Sequence, residues 1–310
     1  NMNGLSFIKQ KQSSWAQRQG FELVSGTIGA DGEKTYLQNV ADNLFEPLTQ
    51  DSADSYNAGD GGETKDTANR LAKMKAVHSS SAIVVNLFQY WKGKDISPLM
   101  YALNLRRKPQ PDTVTENAGT DAPDISEISP KENAAKIYFE KKFRISDDSV
   151  SFRKPANLDV VIEEPLCHTA IESKYTEPYG NSHEGLREAY IRNESLWTEL
   201  PNLYDLAKQI SPDNKLFKHL DAAQLVKHIL GLSANYREKR VKFRLLYLWY
   251  DVLGEEGAEH RREIEQFASI AQKDNILFRH ITYQEVIATL AKDYREGNEA
   301  YIDYLTERYL

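Results

Sequence analysis

Hydrophobic and polar positions along the chain fall into segments of different period. The clearest is Ala156–Glu163, Ala-Asn-Leu-Asp-Val-Val-Ile-Glu, whose β-branched centre predicts a strand. Residues 169–175, Thr-Ala-Ile-Glu-Ser-Lys-Tyr, predict a second strand, and Glu164-Pro165-Leu166 supplies the turn of a hairpin between them. Helical spacing follows over 185–210 and 220–232. Residues 242–251, rich in Leu, Tyr, Phe and Trp, read as a buried strand, and 255–273 as a helix. A last strand is expected at 276–281. A helix follows over 282–292, where Thr282 and Glu285 have the spacing of a capping box. Upstream, 1–60 mixes short apolar and polar runs with Gly26, Gly29, Gly32 and a glycine cluster at 59–62, which predicts an irregular region with one or two short helices. Residues 64–75 fit a helix, Ser79–Ser81 offer a cap for another over 82–91, and 134–143 reads as a helix or a helix running into a strand.

Between 108 and 132 the composition changes to Pro109, Pro111, Pro123 and Pro130 among Asp, Glu, Thr and Gly, the mark of a surface excursion or linker. The expected organisation is an N-terminal extension or subdomain, 1–130, packed on a core, 131–310. Hairpin, helix, strand and helix in that order predict an α/β fold with a mixed sheet flanked by helices.

Composition changes this picture little. At 310 residues, 40% hydrophobic and 27% charged, the chain is expected to be soluble and globular. The net charge of −7 counts mildly against a nucleic-acid partner, although a local basic face matters more than the sum. Cys167 is the single cysteine, so an internal disulfide and a cysteine-rich zinc site are excluded. A reducing cytoplasm fits. Residues 1–20 are polar and resemble no secretory leader, and the longest apolar runs are too short for a bilayer, so a cytoplasmic protein without membrane attachment is expected.

Candidate chemistry centres on the hairpin. Asp159 interrupts one apolar strand, while Glu172 and Lys174 interrupt the other. Residues two apart in a strand share a face, so Glu172 and Lys174 point together, and Asp159 joins them if the register permits. Charges inside apolar strands are costly unless paired or metal-bound. Two carboxylates and a lysine around one point suit phosphodiester hydrolysis: hard oxygens hold Mg²⁺, and a lysine orients the attacking water and stabilises growing negative charge.

Leu158-Asp159-Val160-Val161-Ile162 followed by Ala170-Ile171-Glu172-Ser173-Lys174 resembles the signature of the PD-(D/E)XK nuclease superfamily over roughly residues 134–290. The run from Ile171 to Glu177 is similar to that of one restriction-endonuclease-like group of bacterial proteins. Ser80-Ser81-Ala82, Asn86-Leu87-Phe88 and the run from Ile281 to Glu285 extend that narrower likeness over most of the chain on softer motifs. The resemblance implies a restriction-endonuclease-like core and a Mg²⁺-dependent nuclease, with Mn²⁺ as a substitute. Asp159, Glu172 and the Ser173 carbonyl would be metal ligands, and Lys174 would serve the attacking water. Glu140 matches an additional carboxylate placed before the hairpin, and Gln224 matches a glutamine on a following helix. Asn157-Leu158 stands where the signature's proline is expected, a common variation.

Each position also has a plainer reading. Glu172 and Lys174 make an ordinary surface pair on an edge hairpin, Glu140 is solvated beside Lys141 and Lys142, and Gln224 with His228 forms a polar stripe. Glu163, Glu164 and Glu177 read as solvated, His168 lies by the hairpin turn, and Cys167 reads as structural. Arg106-Arg107-Lys108, Lys141 to Arg144, Arg153-Lys154 and Arg237 to Arg244 are candidate phosphate contacts, with Arg153-Lys154 favoured. The expected function is hydrolysis of DNA by an endonuclease, and a homodimer is consistent with the resemblance. The alternatives are a silent nucleic-acid-binding module of the same fold, or a nuclease specific for RNA or for ends.

Overall fold

Two sheets carry the strands of this computed structural model, which describes residues 3–58, 62–107, 135–148, 150–180 and 182–310. A small ribbon pairs β1 (Val24–Ser25) with β2 (Lys34–Tyr36). The large sheet contains β3 (Lys136–Phe143), β4 (Ala156–Glu163), β5 (Cys167–Lys174), β6 (Lys242–Trp249) and β7 (Phe278–Thr282), side by side in chain order. The pairings of β3 with β4 and of β4 with β5 are antiparallel, whereas β5–β6 and β6–β7 are parallel. Antiparallel neighbours close by short turns, but parallel ones need long crossovers, and helices supply them.

The helices are α1 (Gly4–Arg18), α2 (Gln50–Asn57), α3 (Ser80–Phe88), α4 (Ser97–Ala102), α5 (Glu177–Gly180), α6 (Glu188–Arg192), α7 (Pro201–Ile210), α8 (Ala222–Tyr236), α9 (Glu255–Lys273), α10 (Tyr283–Asp293) and α11 (Glu299–Tyr309). They cover both faces of the sheet. One apolar layer joins Val160, Ile162, Ile171, Leu246 and Leu248 to α3, α4, α10 and α11. The other joins Val161, Ala170, Leu245, Tyr247 and Trp249 to α7, α8 and α9. Covered on both sides, β6 is apolar without alternation from Leu245 to Trp249, as a central parallel strand should be. No helix among the described residues is long and apolar enough to cross a membrane.

The hairpin, the strands over 242–249 and 278–282, and the capping box of Thr282 and Glu285 follow the sequence pattern. Four segments depart from it. Residues 4–18 form a full helix capped by Asn3, not an irregular stretch. Residues 64–75 contain only a 3₁₀ turn at Lys73–Lys75, because their backbone bonds elsewhere: Leu71 donates to Gly26, Ile28 to Asn69 and Leu37 to Lys75. Residues 136–143 are an edge strand, without the helix that 134–143 allowed. The helix expected over 185–210 breaks into α6, a 3₁₀ turn at Glu194–Trp197 and α7, which starts at Pro201, a residue that suits a helix start and not its interior. The expected linker at 108–132 and the boundary at 130 lie outside the described residues.

Candidate active site

Alternation along β3 and β4 slips at one level of the sheet. On β4, Val160 and Ile162 face the first layer while Ala156 and Leu158 face the second. On β3, Ile137 and Phe139 face the first layer and Phe143 the second. The slip falls at Asp159 and at Glu140, which lie opposite each other between the pairs Phe139–Val160 and Lys141–Leu158. Glu140 adopts a φ of 52°, a left-handed conformation that costs a non-glycine residue about 1–3 kcal/mol. Strain of this kind is held by the surrounding structure, and here it turns two carboxylates out of the alternation into a shared pocket.

The β4–β5 ladder ends just there, at Val160 and Ile171. Beyond it the Asp159 Oδ2 accepts the Ser173 amide at 2.7 Å, replacing the missing strand partner. On β5, Glu172 is 1% exposed and its Oε1 meets Lys174 Nζ at 2.6 Å. Lys174 Nζ also donates to Gln224 Oε1 at 2.6 Å. His228, one turn further along α8, brings Nε2 to 2.8 Å from Glu172 Oε2, off the line that a hydrogen bond needs. Ser173 points the other way, its hydroxyl 2.7 Å from that of Tyr283. Glu140 accepts a hydrogen bond from the Asn157 side chain.

A polar pocket of about 210 Å³ lies where they meet. Glu140, Asp159, Glu172, Ser173, Lys174 and Gln224, all named from sequence, come together in it. Tyr56, Ser80, Ser81, Val84 and Glu177 complete the wall. The pocket opens between α3 from one layer and α8 from the other. A wider groove of about 420 Å³, lined by Tyr236, Arg237, Lys242, Phe243 and Asp274 among others, holds no comparable set of carboxylates.

The charges are strongly coupled. Burial disfavours the Glu172 carboxylate, but Lys174 and His228 overcome it and hold the carboxyl down at about 2. Burial likewise opposes the Lys174 charge, and Glu172, Glu177 and Asp159 outweigh it, so the ammonium is retained. Asp159 goes the opposite way: burial, Glu172 and Glu140 push it well above the usual carboxylate range. Glu140 is raised by burial, with Glu63 and Glu172 adding to the effect. Buried carboxylates crowded together behave in this way when the nearest cation, here Lys174, is engaged by one of them.

Among the described residues no three His, Cys, Asp or Glu side chains are gathered tightly enough to grip a metal ion as they stand. The donor set nevertheless fits one. Hard oxygens of Asp159 and Glu172 share the pocket, and Glu172 Oε2, though 2.8 Å from His228 Nε2, makes no well-aligned hydrogen bond.

Other expectations resolve outside the pocket. His168 bonds Tyr236 at 2.6 Å, at the far end of β5 from Lys174. Cys167 is half-buried, and burial raises its thiol, against a reactive thiolate. Glu164 is buried and paired with Arg106 and Arg244, and Glu163 pairs with Lys141, so neither is merely solvated. Glu177 caps the amides of Tyr175 and Thr176 at 2.9 and 3.0 Å while facing the pocket. Arg153 and Lys154 are exposed ahead of β4; Arg106 and Arg107 precede the undescribed stretch that contains Lys108. The sequence assigns no site role to Tyr56, which lies in a segment without periodicity, and offers Ser80 and Ser81 as part of a helix cap and of the softer family motif, without a site role. His228 was signalled only by its i, i+4 relation to Gln224.

No curated protein and no solved structure gives a match to this chain. A protein-family model described as restriction endonuclease associating with ARP matches residues 9–310, which takes in both layers and every residue of the pocket. The chain belongs to this restriction-endonuclease family.

Proposed function

We propose that this protein is a Mg²⁺-dependent nuclease of the PD-(D/E)XK superfamily that hydrolyses phosphodiester bonds within DNA. The observation that carries the reading is the convergence of Asp159, Glu172 and Lys174, from two neighbouring strands, on one pocket that also holds Glu140 and Gln224. Asp159, Glu172 and the Ser173 carbonyl would hold the metal, with Mn²⁺ able to replace it. Bound there, the ion would neutralise phosphate charge and acidify water.

The chain's own groups divide the remaining work. Lys174 keeps its proton, and Gln224 and Glu172 fix its Nζ, so it presents a positioned positive charge to the attacking water and the phosphate. Glu140, with its raised affinity for a proton, takes one from that water. The water oxygen forms a new P–O bond as the P–O bond in line with it breaks; the leaving oxygen takes a proton from solvent, Glu140 returns its own to solvent, and a phosphomonoester and a free hydroxyl remain. His228 keeps Glu172 ionised from the side opposite Lys174. The family's description also names an association with ARP, a partner that this reading extends to the chain.

The test is incubation of the protein with plasmid, single-stranded DNA and RNA, in Mg²⁺, Mn²⁺ or EDTA. Metal-dependent DNA cleavage that Asp159→Ala and Lys174→Ala both abolish is expected; full activity in either variant ends the reading. The burial of Asp159, which disfavours its ionised, metal-binding form, favours a second reading, a nucleic-acid-binding module without hydrolysis. It requires DNA affinity indifferent to metal and no cleavage of any substrate.

A further inference from the structure

One wall of the pocket carries donors that the proposed catalytic set does not use. Helix α3 begins there. Its N-cap, Ser79, has extended backbone, and its hydroxyl accepts the Ala82 amide at 3.2 Å. The amides of Ser80 and Ser81, the first two of the helix, have no acceptor among the described residues, and both residues line the pocket. The Ser81 hydroxyl is engaged separately, donating to Glu63 at 2.9 Å. Unpaired amides at a helix start carry roughly half a positive charge and favour anions.

A second element aims at the same space. Tyr56 on α2 is 2% exposed, its ring lies 5.6 Å from that of Phe139, and its hydroxyl is buried without a partner. Burial, with Glu140 and Asp159 nearby, pushes that hydroxyl well above its ordinary value, so it keeps its proton and is available to donate. A buried donor without an acceptor costs about 1–3 kcal/mol, which a ligand oxygen would recover.

We propose that Tyr56 Oη and the amides of Ser80 and Ser81 form a phosphate-oxygen subsite, binding a non-bridging oxygen of a phosphoryl group seated across from Lys174. The identity of the phosphoryl group as part of a nucleic acid rests on the nuclease reading; the three donors do not. A wall of N–H and O–H groups suits an oxyanion and repels a cation. The carboxylates that share the pocket, Glu140 and Asp159 near Tyr56 among them, repel a bare anion, so phosphate enters with a divalent cation beside it. Residues ahead of the proposed core boundary thus supply substrate contacts.

The experiment titrates the full chain with inorganic phosphate and with thymidine 5′-monophosphate, by calorimetry, in Mg²⁺ and in EDTA. Tyr56→Phe keeps the ring and removes the donor. Ser80→Pro removes one amide at the first helical position, where proline fits, after a Ser79 already at ψ 126°. Ser80→Ala removes only a hydroxyl. Phosphate binding in Mg²⁺ should weaken roughly tenfold in Tyr56→Phe and in Ser80→Pro, and less than about twofold in Ser80→Ala; without ligand no variant should melt below wild type, and Tyr56→Phe, freed of a buried unpaired donor, should melt at or above it. Wild-type protein that binds neither ligand in Mg²⁺, or both variants binding as tightly as wild type, overturns the subsite. Loss of phosphate binding in both variants without DNA cleavage by wild type leaves the subsite standing and removes the nuclease reading. Cleavage that needs Lys174, with phosphate binding unmoved in both variants, does the reverse.

Discussion

Glu172 and Lys174 should be coupled far more strongly than a surface pair. Glu172 is 1% exposed, and its carboxyl is held at about 2 instead of its ordinary 4.5. At about 1.36 kcal/mol per pH unit this corresponds to about 3 kcal/mol, the balance of burial against Lys174 and His228 together, and burial leaves little screening to discount. The shift at Lys174 describes the same contact and is not added. The sign follows from the depressed folded value: the contribution is full above pH 4.5 and disappears as pH falls toward 2, with about 1 kcal/mol gone by pH 4. The assay is a double-mutant cycle of Glu172→Gln and Lys174→Met by urea unfolding at pH 7 and pH 4. Each single change leaves a buried group unmatched and should cost about 3–5 kcal/mol, and the double change should cost much less than their sum. A coupling below about 1 kcal/mol at pH 7, or one that grows on acidification, would refute the buried-pair account.

Asp159→Asn should stabilise the protein in EDTA by about 1 kcal/mol, roughly 2 °C in Tm, since burial and neighbouring carboxylates make the ionised form unfavourable at neutral pH. Mg²⁺ should raise the wild-type Tm and not that of the variant, as scanning calorimetry will show. Gln224→Leu removes the acceptor that aims Lys174 Nζ; turnover on plasmid should fall about 10- to 100-fold with KM little changed. Gly231→Ala brings a Cβ to 2.7 Å from that of Ala156, where α8 rests on the sheet. Urea unfolding should show a loss of about 1–3 kcal/mol. Arg308→Met strips hydrogen bonds from Gln12, Asn43 and the Val77 carbonyl and should cost about 3–5 kcal/mol in the same assay.

The hairpin was legible because its signal is local: a β-branched run, a turn, and a period of two that places Glu172 beside Lys174. The capping box at Thr282 was legible for the same reason. What escaped depends on distant partners. Helix α1 buries only Gly4, Ile8, Gln12, Trp15 and Ala16 among many polar residues, and its Gln12 bonds to Arg308 near the other end of the chain. Nothing in the residue type of Glu140 announces a left-handed backbone, since glycine and asparagine are the usual occupants. Gln224 and His228 show a shared helix face in the sequence, but not whether that face meets water or Glu172. Tyr56 gives no signal at all: a tyrosine in a polar segment becomes a pocket residue only when α2 packs against β3.

The pocket depends on both layers at once. Lys174 and Glu172 are held by α8, which belongs to the second layer, while Tyr56 and the start of α3 approach from the first. The two sets meet only because the alternation slips at Glu140 and Asp159, and that slip carries a strained backbone and crowded carboxylates. Neither is explicable as a means of stabilising the fold, because a regular ladder with apolar side chains at both positions would do so better. Arg308 ties the arrangement to the chain's C-terminal helix: its guanidinium bonds to Val77 two residues before the Ser79 cap, to Asn43 and to Gln12 of α1, and packs 4.0 Å from the Trp15 ring. The first and last helices therefore fix where α3 begins, and through it the wall that faces Lys174. A stability cost concentrated at one pocket, with so much of the chain bracing it, is the pattern expected where geometry has been retained for binding or chemistry.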